Sequence, residues 1–157
     1  MVKEKGDLLT ITSSIDAEQP YRYSAGRYRS RFLVEIRDNK RFVGVRCPKC
    51  GKVYAPPKMV CGPCFCKMDE PVEVGPKGVI TTFTILRFAF VDPQTGTAKP
   101  VPYAYGLIQL EGADNVLSHY VDYDDESKVR IGAKVEAVFA EHRTGTMKDV
   151  KHFRIID

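Results

Sequence analysis

The order of hydrophobic and polar positions divides the chain into a helical segment near its start and a series of strands in its second half. A helix is predicted over residues 24–38, where apolar side chains recur at three- to four-residue spacing at Tyr28, Phe32 or Leu33, and Ile36. Ser24 is of the residue type that caps helix N-termini, and Asn39 fits a helix end. Residues 1–20 lack this spacing and predict a loosely held tail.

The second half of the chain is rich in β-branched and aromatic residues between turn signals, which is typical of strands. After a short strand at 40–46, the predicted strands are 78–88, 103–112, 115–123, 133–143 and a last one containing Val150, Phe153 and Ile155. A loop is predicted at 89–102, and a short helical or turn connection at 124–132 separates the third barrel strand from the fourth. Five strands with this one longer connection predict a closed Greek-key barrel of the OB type.

All five cysteines fall between Cys47 and Cys66. The pairs Cys47-x-x-Cys50 and Cys61-x-x-Cys64 have the spacing of two zinc knuckles, and zinc prefers four such ligands in a tetrahedron. Because four thiolates leave no position for water, the zinc is predicted to be structural. Free or redox-active cysteines are the alternative, whereas a disulfide framework is disfavoured because the cysteines are local and odd in number.

Cys66 is the cysteine that the two knuckles leave over. It could replace Cys64 as the fourth ligand, but the spacing from Cys61 to Cys64 repeats that of the first knuckle and favours a spare thiol at Cys66. Pro56 and Pro57 can reverse the chain between the knuckles. The side chains predicted to cover the ion are Val53, Tyr54, Met59 and Val60.

These patterns predict a mostly β fold with an N-terminal helix, a rubredoxin-like zinc ribbon and a C-terminal five-stranded OB-type barrel. The predicted units are residues 1–39 for the tail and basic helix, 40–70 for the zinc ribbon, and 71–157 for the barrel. Pro71, Gly75 and Pro76 mark the boundary between ribbon and barrel.

Positive charge is concentrated in the middle of the chain. Residues 21–68 hold twelve basic and two acidic residues, whereas residues 69–157 hold ten basic and fourteen acidic ones. Basic groups neutralise phosphates, and aromatic faces stack on bases. The residues predicted to bind coenzyme A or a partner are Tyr21, Arg22, Tyr23, Arg27, Tyr28 and Arg31. Nucleic acid, a nucleotide-bearing molecule and an acidic protein surface all fit this pattern, as does an ordinary solvated helix.

The sequence offers little sign of catalysis. It contains no nucleophile elbow and no phosphate-binding glycine loop. His119, His142 and His152 are all predicted to lie in strands; an acid/base pair of His119 with Asp122 is less favoured than a surface histidine. We therefore expect no catalytic residues. No apolar run is long enough to span a membrane, and the charged N-terminus is unlike a secretion signal, so a cytoplasmic protein is expected.

The motifs resemble those of one family, the zinc-ribbon/OB-fold proteins formerly filed as a domain of unknown function and encoded beside thiolases and hydroxymethylglutaryl-CoA synthases. The stretches that carry the resemblance are RCPKCGKVYAPPKMVCGPC at 46–64, GVITTFTILRF at 78–88, VPYAYGLIQLEG at 101–112 and IGAKVEAVF at 131–139. It implies an accessory subunit without its own catalytic residues, which packs on a thiolase or thiolase-like synthase and helps bind a coenzyme A thioester.

A finer resemblance concerns the acyl group. The stretches YRYSAGRYRSRF at 21–32 and VDPQTGTAKPVPYAYG at 91–106 are similar to the small subunit of benzoylsuccinyl-CoA-type thiolases, which implies an aromatic acyl-CoA in anaerobic degradation. The alternative function is a nucleic-acid-binding module, since zinc ribbons and OB barrels both occur in such proteins. The acidic balance of the barrel half disfavours it.

Overall fold

The computed structural model describes residues 10–12, 22–89, 91 and 96–157. Tyr21, most of the predicted tail and part of the predicted loop at 89–102 lie outside the described residues. Near the N-terminus, strand β1 (Thr10–Thr12) pairs antiparallel with β2 (Arg22–Ser24). None of the helices in the described ranges is long and apolar enough to cross a membrane.

The predicted helix is present as α1 (Gly26–Asn39). It begins two residues later than predicted because Ser24 belongs to β2, although the Ser24 hydroxyl still accepts a hydrogen bond from the backbone N–H of Gly26 (3.2 Å). Lys40 ends the helix in the left-handed region, with φ of 52°. The inner face buries Phe32, Leu33 and Ile36, as the apolar spacing predicts.

A three-stranded antiparallel sheet forms the ribbon around the cysteines. Its order is β4 (Val53–Tyr54), β3 (Phe42–Arg46) and β5 (Glu70–Val74). The sequence predicts only the central strand, β3. A Cβ atom added at Gly44 would lie 2.7 Å from the Tyr54 carbonyl oxygen, so glycine allows the close approach of β3 and β4.

Five strands close into a barrel, as predicted. They are β6 (Lys77–Leu86), β7 (Tyr103–Leu110), β8 (Val116–Asp122), β9 (Lys134–Phe139) and β10 (Val150–Ile155). Their order is β10-β8-β7-β6-β9, and β10 runs parallel to β8 while the other pairs are antiparallel. The connection from β8 to β9 carries a single 3₁₀ turn at Glu126–Lys128.

The helix, the ribbon and the barrel share one hydrophobic core. The Phe42 ring of the ribbon lies 5.9 Å from Phe32 of the helix and 6.2 Å from Phe153 of the barrel, measured between ring centroids. Two hydrogen bonds also join the ribbon to the barrel: the N–H of Val53 donates to the side-chain Oδ2 of Asp114, and the N–H of Asp114 donates to the Val53 carbonyl, both at 2.8 Å. The ribbon is therefore held firmly against the turn between β7 and β8.

Candidate metal centre and cationic cavity

The two cysteine knuckles have the same backbone geometry. In the first, the N–H of Cys47 donates to the Lys52 carbonyl (2.8 Å) and the N–H of Gly51 donates back to the Cys47 carbonyl (3.0 Å). In the second, the N–H of Cys61 donates to the Cys66 carbonyl (3.0 Å), and the N–H of Phe65 donates back to the Cys61 carbonyl (2.9 Å). Each knuckle thereby turns both of its sulfurs toward one point.

The four predicted ligands are positioned to bind one metal ion. The Sγ atoms of Cys47, Cys50, Cys61 and Cys64 all lie within 4.8 Å of one another. The Cys50 and Cys61 sulfurs are 3.7 Å apart, which matches the edge of about 3.8 Å that a tetrahedron with zinc–sulfur bonds of about 2.3 Å requires. The residues present therefore fit a tetrahedral zinc ion.

The thiols of the cluster differ in acidity. Backbone N–H groups, first that of Cys50 and then that of Lys49, lower the pKa of Cys47 to about 6. The pKa of Cys64 is raised to about 12, first by its hydrogen bond with the Cys50 thiol and then by burial. Four thiolates this close repel one another, so all of them ionise together only beside a divalent cation.

Cys66 lies beside this cluster as a fifth thiol. Its Sγ is 3.5 Å from that of Cys47, and burial, followed by its hydrogen bond to Cys47, raises the pKa of the Cys66 thiol. The four mutually close ligand sulfurs do not include it. The predicted preference for Cys64 over Cys66 agrees with this geometry.

The apolar cover of the metal centre differs from the predicted one. Met59 and Val60 are 58% and 41% exposed, and Val53 is buried in the core shared with the barrel. Val45 and Met68 are buried with the cysteines instead, and Tyr54 packs against them. Met68 lies on the antiparallel arm that flanks the second knuckle, where its N–H donates to the Met59 carbonyl, and its side chain is fully buried.

A cavity of about 640 Å³ opens where the helix, the ribbon and the barrel meet. Its polar and charged lining residues are Arg29, Lys99, Tyr105, Ser118, His119, Tyr120, Lys148 and Lys151. Its apolar lining residues are Phe32, Pro56, Pro57, Leu117, Met147 and Val150. Within the part of the chain that the structure describes, this lining contains four cations and no carboxylate. Arg29 is the only one of the four from the basic segment. Sequence reasoning missed the lysines because Lys99 is far in the chain from Lys148 and Lys151, and all three are far from Arg29.

Lys99 is the most confined of these cations. Its Nζ lies 2.9 Å from the centroid of the Tyr120 ring and 4.8 Å from that of Tyr103. Burial lowers the pKa of Lys99, because a partly desolvated ammonium has lost water without gaining a carboxylate. Its charge is available to an anion that enters the cavity.

Three of the six predicted binding residues lie beside a second, smaller cavity. Arg27, Tyr28 and Arg31 line this space of about 220 Å³, which shares Phe32 and Pro57 with the larger cavity. The Tyr28 hydroxyl donates to Asp69 Oδ1 (2.6 Å), and this hydrogen bond raises the pKa of Tyr28. The structure does not gather all six predicted residues into one site: Tyr23 and Arg22 lie in β2, and Tyr21 is outside the described residues.

The histidines depart from prediction in two respects. His119 is buried in β8 and only 7% exposed, with Nε2 3.3 Å from the Met147 carbonyl. His142 is exposed in the connection between β9 and β10 rather than in a strand. Asp122 lies 3.7 Å from His152 Nε2, so it faces β10 instead of forming the considered pair with His119.

The fold and the cysteine cluster define the class: a zinc ribbon joined to an OB-type barrel. The family described as the rubredoxin-like zinc ribbon domain of ChsH2 matches residues 35–65, and the C-terminal OB-fold domain of ChsH2 matches residues 71–140. A DUF35 domain-containing scaffold protein of Methanocaldococcus jannaschii is 34% identical over 105 residues, covering 66% of this chain and 71% of the relative. A scaffold protein of the same description from Pyrococcus furiosus is 30% identical over 69% of this chain and 76% of its own length. The chain belongs to the DUF35 family.

Two solved structures share the fold. A DUF35 protein of unknown function from Sulfolobus solfataricus is 20% identical, with a TM-score of 0.58 over 84% of this chain and 87% of its own. A chain of the Ltp2-ChsH2(DUF35) aldolase is 22% identical, with a TM-score of 0.55 over 80% of this chain and 92% of its own. At these identities, the likeness concerns the fold alone.

Proposed function

We propose that this chain is a non-catalytic, zinc-containing accessory subunit that packs on a thiolase-like enzyme and helps bind acyl-CoA, the thioester of an aromatic acid being the suggested ligand. Relatives of the chain are described as scaffold proteins. A DUF35 protein of similar fold is part of an aldolase whose other component is Ltp2. Both descriptions fit a subunit whose partner carries the catalytic residues.

The cationic cavity is the observation that carries this proposal. Coenzyme A combines phosphates, an adenine ring and a long pantetheine arm. Arg29, Lys99, Lys148 and Lys151 supply positive charge for the phosphates. The apolar wall and the rings of Tyr105 and Tyr120 suit the arm and the base. A volume of about 640 Å³ is within the range of small-molecule sites.

The zinc ion is assigned a structural role in this proposal. Its ligands are Cys47, Cys50, Cys61 and Cys64, and four thiolates complete the tetrahedron without leaving a position for a substrate. The ion would tie the first knuckle to the second. The chain runs on from the first knuckle through β4 to Pro56 and Pro57. These two prolines form part of the cavity wall, so the zinc ribbon contributes to the binding site indirectly.

A barrel face formed by uncharged strand residues, with the Lys99 ammonium over its Tyr120 ring, supports the packing on a partner. On β6, β7 and β8, three rows of directly opposed residues point outward: Val79, Gln109 and Val116; Thr82, Leu107 and Ser118; Thr84, Tyr105 and Tyr120. None of these nine side chains is charged, although charged residues make up 28% of the chain. At the centres of protein–protein interfaces, charged residues are depleted and aromatic residues such as tyrosine are enriched. The face adjoins the cavity through Tyr105, Ser118 and Tyr120.

Binding of coenzyme A to the complex of this chain with its enzyme tests the proposal. In the double variant Lys148→Glu/Lys151→Glu, we expect the Kd for coenzyme A to rise at least about tenfold, because charge-assisted contacts to phosphate are lost. Lys77→Glu/Lys134→Glu makes the same change of charge at residues outside the cavity lining and is the matched control. Equal affinities in the two variants would place the coenzyme elsewhere.

A further inference from the structure

Phe65 is the most exposed large hydrophobic residue that the structure describes. Its side chain is 85% exposed, and its backbone adopts a φ of 51°. The left-handed region is unfavourable for a residue with a Cβ atom, and exposing an aromatic ring forgoes the stabilisation that burial would give. Neither property of Phe65 contributes to the stability of the fold.

The first knuckle has a glycine at the position equivalent to Phe65, with the same left-handed backbone conformation. Gly51 follows Cys50 as Phe65 follows Cys64, and Gly51 has a φ of 75°. The N–H of Gly51 donates to the Cys47 carbonyl (3.0 Å), and the N–H of Phe65 donates to the Cys61 carbonyl (2.9 Å). Glycine meets this geometry without strain. The second knuckle therefore carries an aromatic residue where the structure favours glycine.

The segment that carries Phe65 contains further exposed apolar residues and is basic. Met59 and Val60 are also exposed and belong to the same hairpin, in which Val60 pairs with Lys67. Segment 47–68 contains four lysines and no acidic residue. Lys67 is neutralised by Asp69 (2.8 Å). The other lysines of the segment are Lys49, Lys52 and Lys58, all exposed.

We propose that Phe65, flanked by Met59 and Val60, is an anchor that inserts into an apolar pocket on the thiolase-like partner, and that carboxylates line the rim of this pocket. The proposal rests on the proposed function, since it assigns a contact to that partner. The Phe65 ring, exposed in the free chain, would become buried at the centre of the contact on binding. The exposed lysines of segment 47–68 favour a pocket with an acidic rim, because opposite charges at a rim favour the correct partner and like charges exclude others.

The variant Phe65→Gly separates binding from folding. It removes the ring and relieves the left-handed strain, so we expect one zinc per chain and a thermal midpoint equal to or above that of the unchanged protein. The Kd for the thiolase-like enzyme should rise about tenfold or more, because truncating an anchoring aromatic residue has effects of this size. Ile131→Gly, which removes another exposed apolar side chain (66% exposed), is the matched control and should leave the Kd unchanged.

The measurement uses the unchanged full chain and each variant against the enzyme that the unchanged chain recovers from its native cell extract, identified by mass as a thiolase homologue. Lys58→Glu should also weaken binding, and more so at low salt. If the unchanged chain binds the enzyme and Phe65→Gly binds it equally well, the anchor is overturned while the proposed function stands. If the unchanged chain binds no such enzyme, the proposed function fails and the anchor fails with it.

Discussion

At the level of single residues, the metal centre depends on cysteines whose backbone groups are hydrogen-bonded within each knuckle. Cys47 and Cys61, the first residue of each knuckle, are 1% and 0% exposed. Each has its N–H and its carbonyl engaged within its own knuckle. Cys50 is exposed. The first cysteine of each knuckle is therefore both a candidate ligand and a part of the ribbon core.

Replacement of one ligand should abolish metal binding. We expect Cys61→Ser to lose its zinc and to unfold the ribbon, because the free energy of zinc binding, on the order of 10 kcal/mol, is also folding free energy. The measurements are zinc content by mass spectrometry and thermal unfolding. Cys66→Ser is the control and should retain one zinc per chain with a small change in stability. A full zinc content in Cys61→Ser would contradict the ligand assignment.

His119 should make stability depend on pH. Burial lowers its pKa below the ordinary 6.5, so the folded chain holds the neutral ring. As the pH falls through 6.5, the ring is protonated in the unfolded chain while it stays neutral in the folded chain. The free energy of unfolding therefore decreases with falling pH, until the pH reaches the lowered pKa of the folded chain. Above pH 6.5 the residue has no such effect.

Urea unfolding at a series of pH values tests this expectation. His119→Gln, whose amide can still donate to the Met147 carbonyl, should show a shallower decrease below pH 6.5. Part of the decrease should persist, because burial also lowers the pKa of His152. His142→Gln changes an exposed histidine and should leave the profile as it was. An identical profile in His119→Gln would show that the ring is not held neutral by the fold.

At the level of elements, the connection from β9 to β10 is organised by one buried carboxylate. Asp149 is 2% exposed and accepts hydrogen bonds from the backbone N–H groups of Thr144 (2.9 Å), Gly145 (2.7 Å) and Thr146 (3.3 Å). It closes a capping box with Thr146 around a 3₁₀ turn. The next residues, Val150 and Lys151, line the cationic cavity.

We expect Asp149→Ala to lower the free energy of unfolding by about 3 kcal/mol, because buried backbone donors lose a charged acceptor. Chemical denaturation measures the change. The control is Asp124→Ala, which removes an exposed carboxylate paired with Lys128 and should change stability by less than about 0.5 kcal/mol. Similar values for the two variants would mean that Asp149 does not organise the connection.

The helix and the barrel strands could be predicted from the sequence, because each has a local signal. The alternation of Val135, Ala137 and Phe139 and the turns between strands identify the barrel without knowledge of its closure. Strands β4 and β5 carry no such signal: β4 has two residues, and β5 contains Pro71 at an edge of the sheet. They form because each pairs with β3 through backbone hydrogen bonds.

The candidate sites also differ in whether a local sequence signal identifies them. Four cysteine ligands were evident from spacing alone, since a knuckle is a local structure. The cationic cavity was not evident, because its lysines come from the loop before β7, from a 3₁₀ turn and from β10. Only the closure of the barrel brings Lys99, Lys148 and Lys151 near Arg29. The anchor at Phe65 also required the structure, because its exposure and its φ are not written in the sequence.

At the level of the whole molecule, the ribbon and the barrel are joined by side chains of the turn between β7 and β8. Asp114 accepts from the N–H of Val53, and Asn115 Oδ1 accepts from the N–H of Ala55 (2.7 Å). The segment they hold leads directly to Pro56 and Pro57 in the cavity wall. This joint therefore sets the position of the ribbon relative to the cationic side chains.

Asp114→Ala should weaken the joint without removing the metal. We expect the free energy of unfolding to fall by about 2 kcal/mol, since the N–H of Val53 loses a charged acceptor. Zinc content should stay at one per chain, and the affinity for coenzyme A should fall because the cavity wall is displaced. Glu111→Ala, at an exposed residue of the same turn, is the control. Unchanged stability would contradict the role given to Asp114.

Recovery of the tagged chain from its native cell extract, with the bound proteins identified by mass, tests the central claim most directly. A subunit that packs on a thiolase-like enzyme should bring down a thiolase or synthase homologue in stoichiometric amount, and added coenzyme A should protect the complex. Recovery of nucleic acid or ribosomal proteins in place of such an enzyme, surviving moderate salt, would contradict the proposed packing on a thiolase-like enzyme and favour the nucleic-acid-binding alternative.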